Sequence, residues 1–141
     1  MPELLYDIHM VDTVANTLIK AGASCSVFTF TGTLGAGKTT LIQAMLRAYD
    51  VTDLITSPTF TYVNVYHNAH GIIFYHFDCY RIQSLDEFIN AGFAEYLYAP
   101  NSIAFIEWPT IIMPLLTSHV CHINLEYHGN DMRHLECTIN P

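Results

Sequence analysis

Basic residues are scarce in this chain. Fixed positive charge comes from Lys20, Lys38, Arg47, Arg81 and Arg133 alone, against thirteen carboxylates, for a formal net charge of -8. Cations this few and this scattered make a poor footprint for a nucleic-acid backbone, which argues against tight direct binding to RNA or DNA by this chain alone. Long hydrophobic runs are missing too. No apolar stretch approaches the length of a membrane-spanning helix, and the start Met1-Pro2-Glu3-Leu4 lacks the basic opening of a secretory signal. The chain is therefore expected to be soluble and cytoplasmic, with no membrane partner. There is no C-x-x-C pair: Cys25, Cys79, Cys121 and Cys137 are widely spaced, as expected of reduced, partly buried thiols. Repeats and low-complexity segments are absent as well.

What remains is an apolar chain. Hydrophobic residues make up 51% and charged residues 13% of 141 positions, which suits one domain with a sizeable core and excludes disorder as its default state. Eight histidines raise the question of a transition metal. The closest groupings are His67 with His70, and His119, Cys121 and His122. In a strand, Cys121 falls on the apolar side while His119 and His122 point to opposite faces, so no dedicated metal site is expected there.

The organising stretch is Gly32-Thr33-Leu34-Gly35-Ala36-Gly37-Lys38-Thr39-Thr40. It fits G-x-x-x-x-G-K-[ST], preceded by the strand-like Val27-Phe28-Thr29-Phe30 and followed by a helical pattern from Thr39 to Tyr49. Glycines let backbone N–H groups close on a phosphate chain, and the following helix offers its positive end. Lys38 then reaches the terminal phosphates, and the Thr39 hydroxyl ligates a magnesium ion. The expected ligand is a nucleoside triphosphate.

Around this unit, Leu4, Tyr6 and Ile8 alternate as an opening strand, and Asp12 or Thr13 is expected to cap a helix carrying Val14, Leu18 and Ala21. Thr56 to Thr61 is a hydroxyl-rich segment broken by Pro58, readable from its residues either as an ordinary connection or as a loop that senses the terminal phosphate. Phe60 to Tyr66 is strand-like, and His67 to Gly71 reads as a turn. Gly71 to Asp78 and Asn101 to Trp108 are nearly continuous apolar runs, the pattern of strands buried on both faces. Each ends on an acid, Asp78 and Glu107, at the sheet edge where such folds bind ligands. Either acid can hold magnesium or orient an attacking water, and spacing does not assign the roles. Ser84-Leu85-Asp86-Glu87 is a capping box, while Arg81 is free to meet phosphate or to pair with Asp86 or Glu87. Cys121 to Tyr127 and Leu135 to Ile139 alternate around a turn, an antiparallel hairpin expected at the sheet's edge with one dry face. The fold class expected is α/β: a P-loop NTPase-like mixed sheet with flanking helices and a C-terminal antiparallel hairpin, in a single domain over residues 1–141.

Four ordered motifs, Gly32 to Thr40, Ser57-Pro58-Thr59-Phe60-Thr61, His76-Phe77-Asp78-Cys79-Tyr80-Arg81 and Ile106-Glu107-Trp108-Pro109, resemble the TsaE (YjeE) family, the small ATPase of bacterial tRNA threonylcarbamoyladenosine biosynthesis. Gly92 to Leu97 and Arg133 also resemble its pattern. Thr33, Cys79 and Thr110 depart from it, none of them touching the lysine, the Thr39 hydroxyl or the two carboxylates. The resemblance implies magnesium-dependent ATP hydrolysis, with Gly32, Gly35, Ala36, Gly37, Lys38, Thr39, Thr40 and Arg133 as nucleotide-binding residues. It implies a switch-like loop at Ser57, Thr59 and Thr61, a catalytically important acid at Asp78, and a magnesium-associated one at Glu107. It also implies work beside larger threonylcarbamoyl-transfer subunits of the TsaD and TsaB type, with tRNA contacted only indirectly. A small-molecule P-loop kinase and a non-catalytic nucleotide-dependent scaffold are the alternatives; a kinase would need an Arg-bearing lid, and no long insertion supplies one.

Overall fold

The apolar runs meet at the centre of one sheet. The computed structural model describes residues 3–55 and 62–141. Its strands are β1 (Glu3–Asp7), β2 (Val27–Thr31), β3 (Val63–His67), β4 (Ile73–Asp78), β5 (Ser102–Glu107), β6 (Val120–Gly129) and β7 (Met132–Asn140), in the order β1-β7-β6-β2-β5-β4-β3. β4, β5, β2 and β6 run parallel, β3 pairs antiparallel with β4 at one side, and at the other β7 runs antiparallel between β6 and β1. The mixed sheet expected from the sequence is present. The hairpin β6–β7 is not its edge, however: β6 pairs with β2 and β7 with β1, so β1 is the outer strand.

Helices α1 (Val11–Ala21) and α2 (Lys38–Ala48) cover one face. Under them Phe28, Phe30, Phe74 and Phe105 form a fully buried aromatic layer, with Phe105 stacked on Phe28 at 5.5 Å and on Phe74 at 6.2 Å. The other face carries a second cluster centred on β2, β5 and β4. There α3 (Leu85–Asn90) and 3-10 turns at Phe93–Tyr96 and Thr110–Leu115 pack on Val27, Tyr75, Phe77, Ala104 and Ile106. Beyond them β6 shows half-buried His122, Asn124 and Glu126, while Cys121, Ile123 and Leu125 lie buried under the helices, so the dry face is where alternation placed it.

Two local expectations change. Neither Asp12 nor Thr13 caps α1: its N-cap is Met10, because a 3-10 turn at Ile8–Met10 runs straight into the helix. The capping carboxylate is Asp7, which accepts from the His9 amide at 2.8 Å, and Asp12 instead pairs with Arg47 at 3.2 Å. Ser84 caps α3 as expected, its hydroxyl accepting from the Glu87 amide at 3.1 Å, but Glu87 reaches back to the amide of Gln83 at 2.9 Å, one residue before the one the capping box calls for. All four cysteines are free and buried.

Candidate functional site

β2 delivers the chain into the phosphate-loop motif at its C-terminal end. Gly32 sits at φ 130°, and a Cβ placed on it would lie 1.8 Å from the Leu125 carbonyl oxygen of β6. Only glycine lets the loop begin this close to the neighbouring strand. Gly35 is exposed at the loop's crest, Ala36 is buried, and Gly37 precedes the first turn of α2. Lys38, the first residue of that helix, is buried. Its ammonium donates to the carbonyls of Gly32 at 2.7 Å and Thr33 at 3.0 Å, and lies 4.0 Å from the centroid of the Trp108 ring. An ammonium has three donors, so two hold the loop closed and, among the described residues, one is left for an anion. Burial pulls the Lys38 pKa down, while the negative charges of Glu107, Glu126 and Asp78 oppose that shift.

The two strand-end acids stand side by side, Asp78 opposite Glu107 in the parallel register of β4 and β5. They do different things. The Thr39 hydroxyl donates to Glu107 Oε1 at 2.9 Å and reaches Oε2 at 3.0 Å, and Glu107 is 4% exposed. Asp78 is half-buried and turns its Oδ1 to the amide of Tyr80 at 3.0 Å. A hydroxyl and a carboxylate meeting at one corner, with a second carboxylate one strand away, are the hard oxygen donors that magnesium takes. Thr40 is exposed one residue beyond Thr39.

Arg133 reaches this loop from β7. Its Nε donates to the Ala36 carbonyl at 2.9 Å, and its guanidinium stacks on Tyr127 with Cζ 4.8 Å from the ring centroid. Arg81 is exposed and, among the described residues, makes neither a phosphate-loop contact nor an ion pair with Asp86 or Glu87. Ser57, Thr59 and Thr61 lie outside the described residues. Thr33, which departs from the resembled pattern, hydrogen-bonds Glu126 Oε2 at 3.3 Å.

Two neighbours of the site were not assigned a role from the sequence. Trp108 takes φ 56°, a left-handed conformation rare for a bulky residue, and its ring lies against both Lys38 and Tyr80. His76 is fully buried and its Nε2 lies 2.7 Å from Glu107 Oε2. A signal for His76 existed: it is the one strongly polar residue inside the apolar run 71–77, two positions before Asp78 and thus on the same face. Among the described residues the one grouping of three potential metal ligands, Glu3, His134 and Glu136, lies elsewhere, on β1 and β7.

Known proteins resemble this chain in fold and in sequence. The crystal structure of YdiB from Bacillus subtilis superposes with a TM-score of 0.70 at 26% identity, covering 99% of this chain and 86% of that one. A tRNA threonylcarbamoyladenosine biosynthesis protein TsaE from Treponema pallidum is 32% identical over 123 residues, 87% of each chain. Its counterpart in Haemophilus influenzae is 34% identical over 123 residues, 86% of this chain and 76% of the relative. The family model described as threonylcarbamoyl adenosine biosynthesis protein TsaE matches residues 5–135, phosphate loop, both strand-end acids and Arg133 included. This chain belongs to the TsaE family.

Proposed function

We propose that this chain is the ATP-binding and ATP-hydrolysing subunit of tRNA threonylcarbamoyladenosine biosynthesis, working as a single P-loop domain beside larger transfer subunits of the TsaD and TsaB type. Its TsaE relatives are named for that biosynthesis. The observation that carries the reading is the bond from Thr39, on the phosphate-loop helix, to Glu107, at the end of β5. That bond joins the two parts of the chain that a magnesium nucleotide requires.

Each residue has a task in this reading. The remaining donor of Lys38 turns to the terminal phosphates, and the loop amides from Gly35 to Thr40 surround the phosphate chain. Thr39 and Glu107 hold magnesium, which when bound neutralises charge on the phosphate oxygens. Asp78, free of the Thr39 bond, orients the attacking water. Arg133 braces the loop through Ala36, and Ser57, Thr59 and Thr61 act as the switch-like segment. With five cations in the whole chain, tRNA is met through the partners. The work is cytoplasmic, and no helix among the described residues is long and apolar enough to cross a membrane.

Arginine at the phosphates is in short supply, since Arg47 is paired with Asp12, exposed Arg81 makes no phosphate-loop contact among the described residues, and Arg133 spends its Nε on Ala36 and its Nη1 on Met132. Transition-state charge stabilisation from a partner answers that need and is worth about a thousandfold or more in rate. Phosphate release is measured for the chain alone, for the transfer subunits alone and for the mixture. Slow release alone and fast release in the mixture is expected; equal rates would overturn partner dependence.

A further inference from the structure

The carboxylate of Glu107 is held from two sides, and one of them is not part of the phosphate loop. Among the described residues Oε1 accepts from Thr39 alone. Oε2 is shared between Thr39 at 3.0 Å and His76 Nε2 at 2.7 Å. A carboxylate only accepts, so the proton between them sits on Nε2. The other imidazole nitrogen, Nδ1, is buried and has no hydrogen-bond partner among the described residues. A proton on Nδ1 would make a buried donor with nothing to receive it, which costs the full desolvation of that group. The geometry thus selects one tautomer, with Nε2–H facing Glu107 and a bare lone pair at Nδ1.

This is an expensive residue for its position. β4 is paired on both sides, and His76 stands in register between Phe105 of β5 and Asn64 of β3. Phe74, on the same face two residues earlier, is wholly buried against the aromatic layer, so an apolar side chain suits this surface. A half-satisfied imidazole here has its account in what Nε2 does. It takes up a lone pair of Oε2, fixes the carboxylate plane, and leaves Oε1 as the oxygen with acceptor capacity to spare. We propose that His76 is a positioning residue: by donating from Nε2 to Oε2 it aims Glu107 at the Thr39 corner, where the magnesium of a bound nucleotide would be held. The proposal rests on the reading of Glu107 as a magnesium-associated acid given above. Loss of such an outer hydrogen bond typically weakens metal binding by about 10- to 100-fold.

The amide of glutamine falls near the place of Nε2, and that of asparagine near Nδ1. His76→Gln therefore keeps the donor to Glu107 and His76→Asn removes it, though both are polar and uncharged. Calorimetry with a non-hydrolysable ATP analogue, with magnesium and with EDTA, measures the gain in affinity due to the metal. His76→Asn is expected to lose about tenfold or more of that gain with its EDTA affinity unchanged, and His76→Gln to stay within about threefold of the parent. An asparagine variant that keeps the parent's magnesium gain, or a glutamine variant as impaired as asparagine, overturns the proposal. A parent chain with no magnesium gain at all overturns the magnesium-nucleotide reading, and the positioning role with it. A measurement on the unaltered chain guards against misfolded variants. Nitrogen–proton correlation spectra of the imidazole should show a protonated Nε2 and a bare Nδ1 at His76, and the opposite tautomer would refute the inference.

Discussion

Replacing Gly32 with alanine isolates the closest backbone approach met at any of the seven glycines. Two costs follow from the structure. The first is conformational: φ 130° lies in a region that residues with a Cβ avoid, at roughly 1–2 kcal/mol. The second is steric. The new methyl must move from 1.8 Å to at least 3.0 Å from the Leu125 carbonyl oxygen, a retreat of about 1.2 Å. That contact is backbone within the paired strand β6, so no side chain can swing aside. A shift of this size stretches an ordinary hydrogen bond beyond its working range, and one or two bonds at the end of the β2–β6 ladder cost about 1 kcal/mol each. The total, about 2–4 kcal/mol, is a large share of a domain's usual 5–15. For a chain of this size it corresponds to a fall of about 8–15 °C in Tm. Gly35→Ala is the matched control: φ is also positive, at 82°, but nothing lies within 4 Å of the added Cβ. Calorimetric melting of both variants without nucleotide decides the matter. Equal falls in Tm would refute the steric argument and leave backbone strain as the whole effect.

Three further outcomes follow from the site and the sheet. Asp78→Asn should keep ATP affinity within about tenfold, or roughly 1.4 kcal/mol, and Glu107→Gln should lose at least as much of the magnesium gain as His76→Asn, while turnover in the assembled system falls much further with either; turnover like the parent's would show that neither carboxylate acts in the chemistry. Lys38→Ala removes the donor to Gly32 and Thr33 as well as the phosphate contact, so nucleotide affinity measured by calorimetry should collapse in a chain with an unchanged circular dichroism spectrum; retained affinity would count against the loop assignment. Burial holds the His122 pKa below its ordinary 6.5, with Nδ1 at 2.7 Å from the Thr29 hydroxyl. The unfolded chain takes up a proton near 6.5 that the folded chain refuses until lower pH, so stability is complete above 6.5 and declines as pH falls from there through the folded value. His122→Gln should flatten the urea midpoint across that window, and an unaltered slope in the variant would refute it.

What was legible in the sequence was local, or carried by a whole strand. The phosphate loop could be read because Gly32, Gly37, Lys38 and Thr39 lie within eight residues, between a strand of Val and Phe and a helix. β4 and β5 could be read because continuous apolar runs mark strands covered on both faces, and their terminal acids stand out against them. The start of α1 could not, since Asp7 caps a 3-10 turn ahead of the helix and the sequence carries nearer capping candidates in Asp12 and Thr13. Nor could the place of β6, because a hairpin signal says which strands pair with each other and is silent on β2 as the third neighbour. The division of labour between Glu107 and Asp78 depends on Thr39, 68 positions away from the former in the chain. The contacts of His76 and Trp108 are equally non-local.

The strand order has a consequence for how this chain acquires its shape. β2 is made early, yet both of its partners, β5 and β6, come from the second half of the chain. Until residues near 124 are available, the edge of Val27–Thr31 that will meet β6 has nothing to pair with, and Arg133 cannot yet brace Ala36. Contacts between segments this far apart are slow to form, because loop closure must precede any stabilisation. During synthesis β2, a strand buried at four of its five residues, thus waits for its neighbours with an exposed edge, a template for pairing with other chains. Assembly begun before β6 emerges runs that hazard, and the finished loop draws on Glu107, Leu125 and Arg133, all late to arrive.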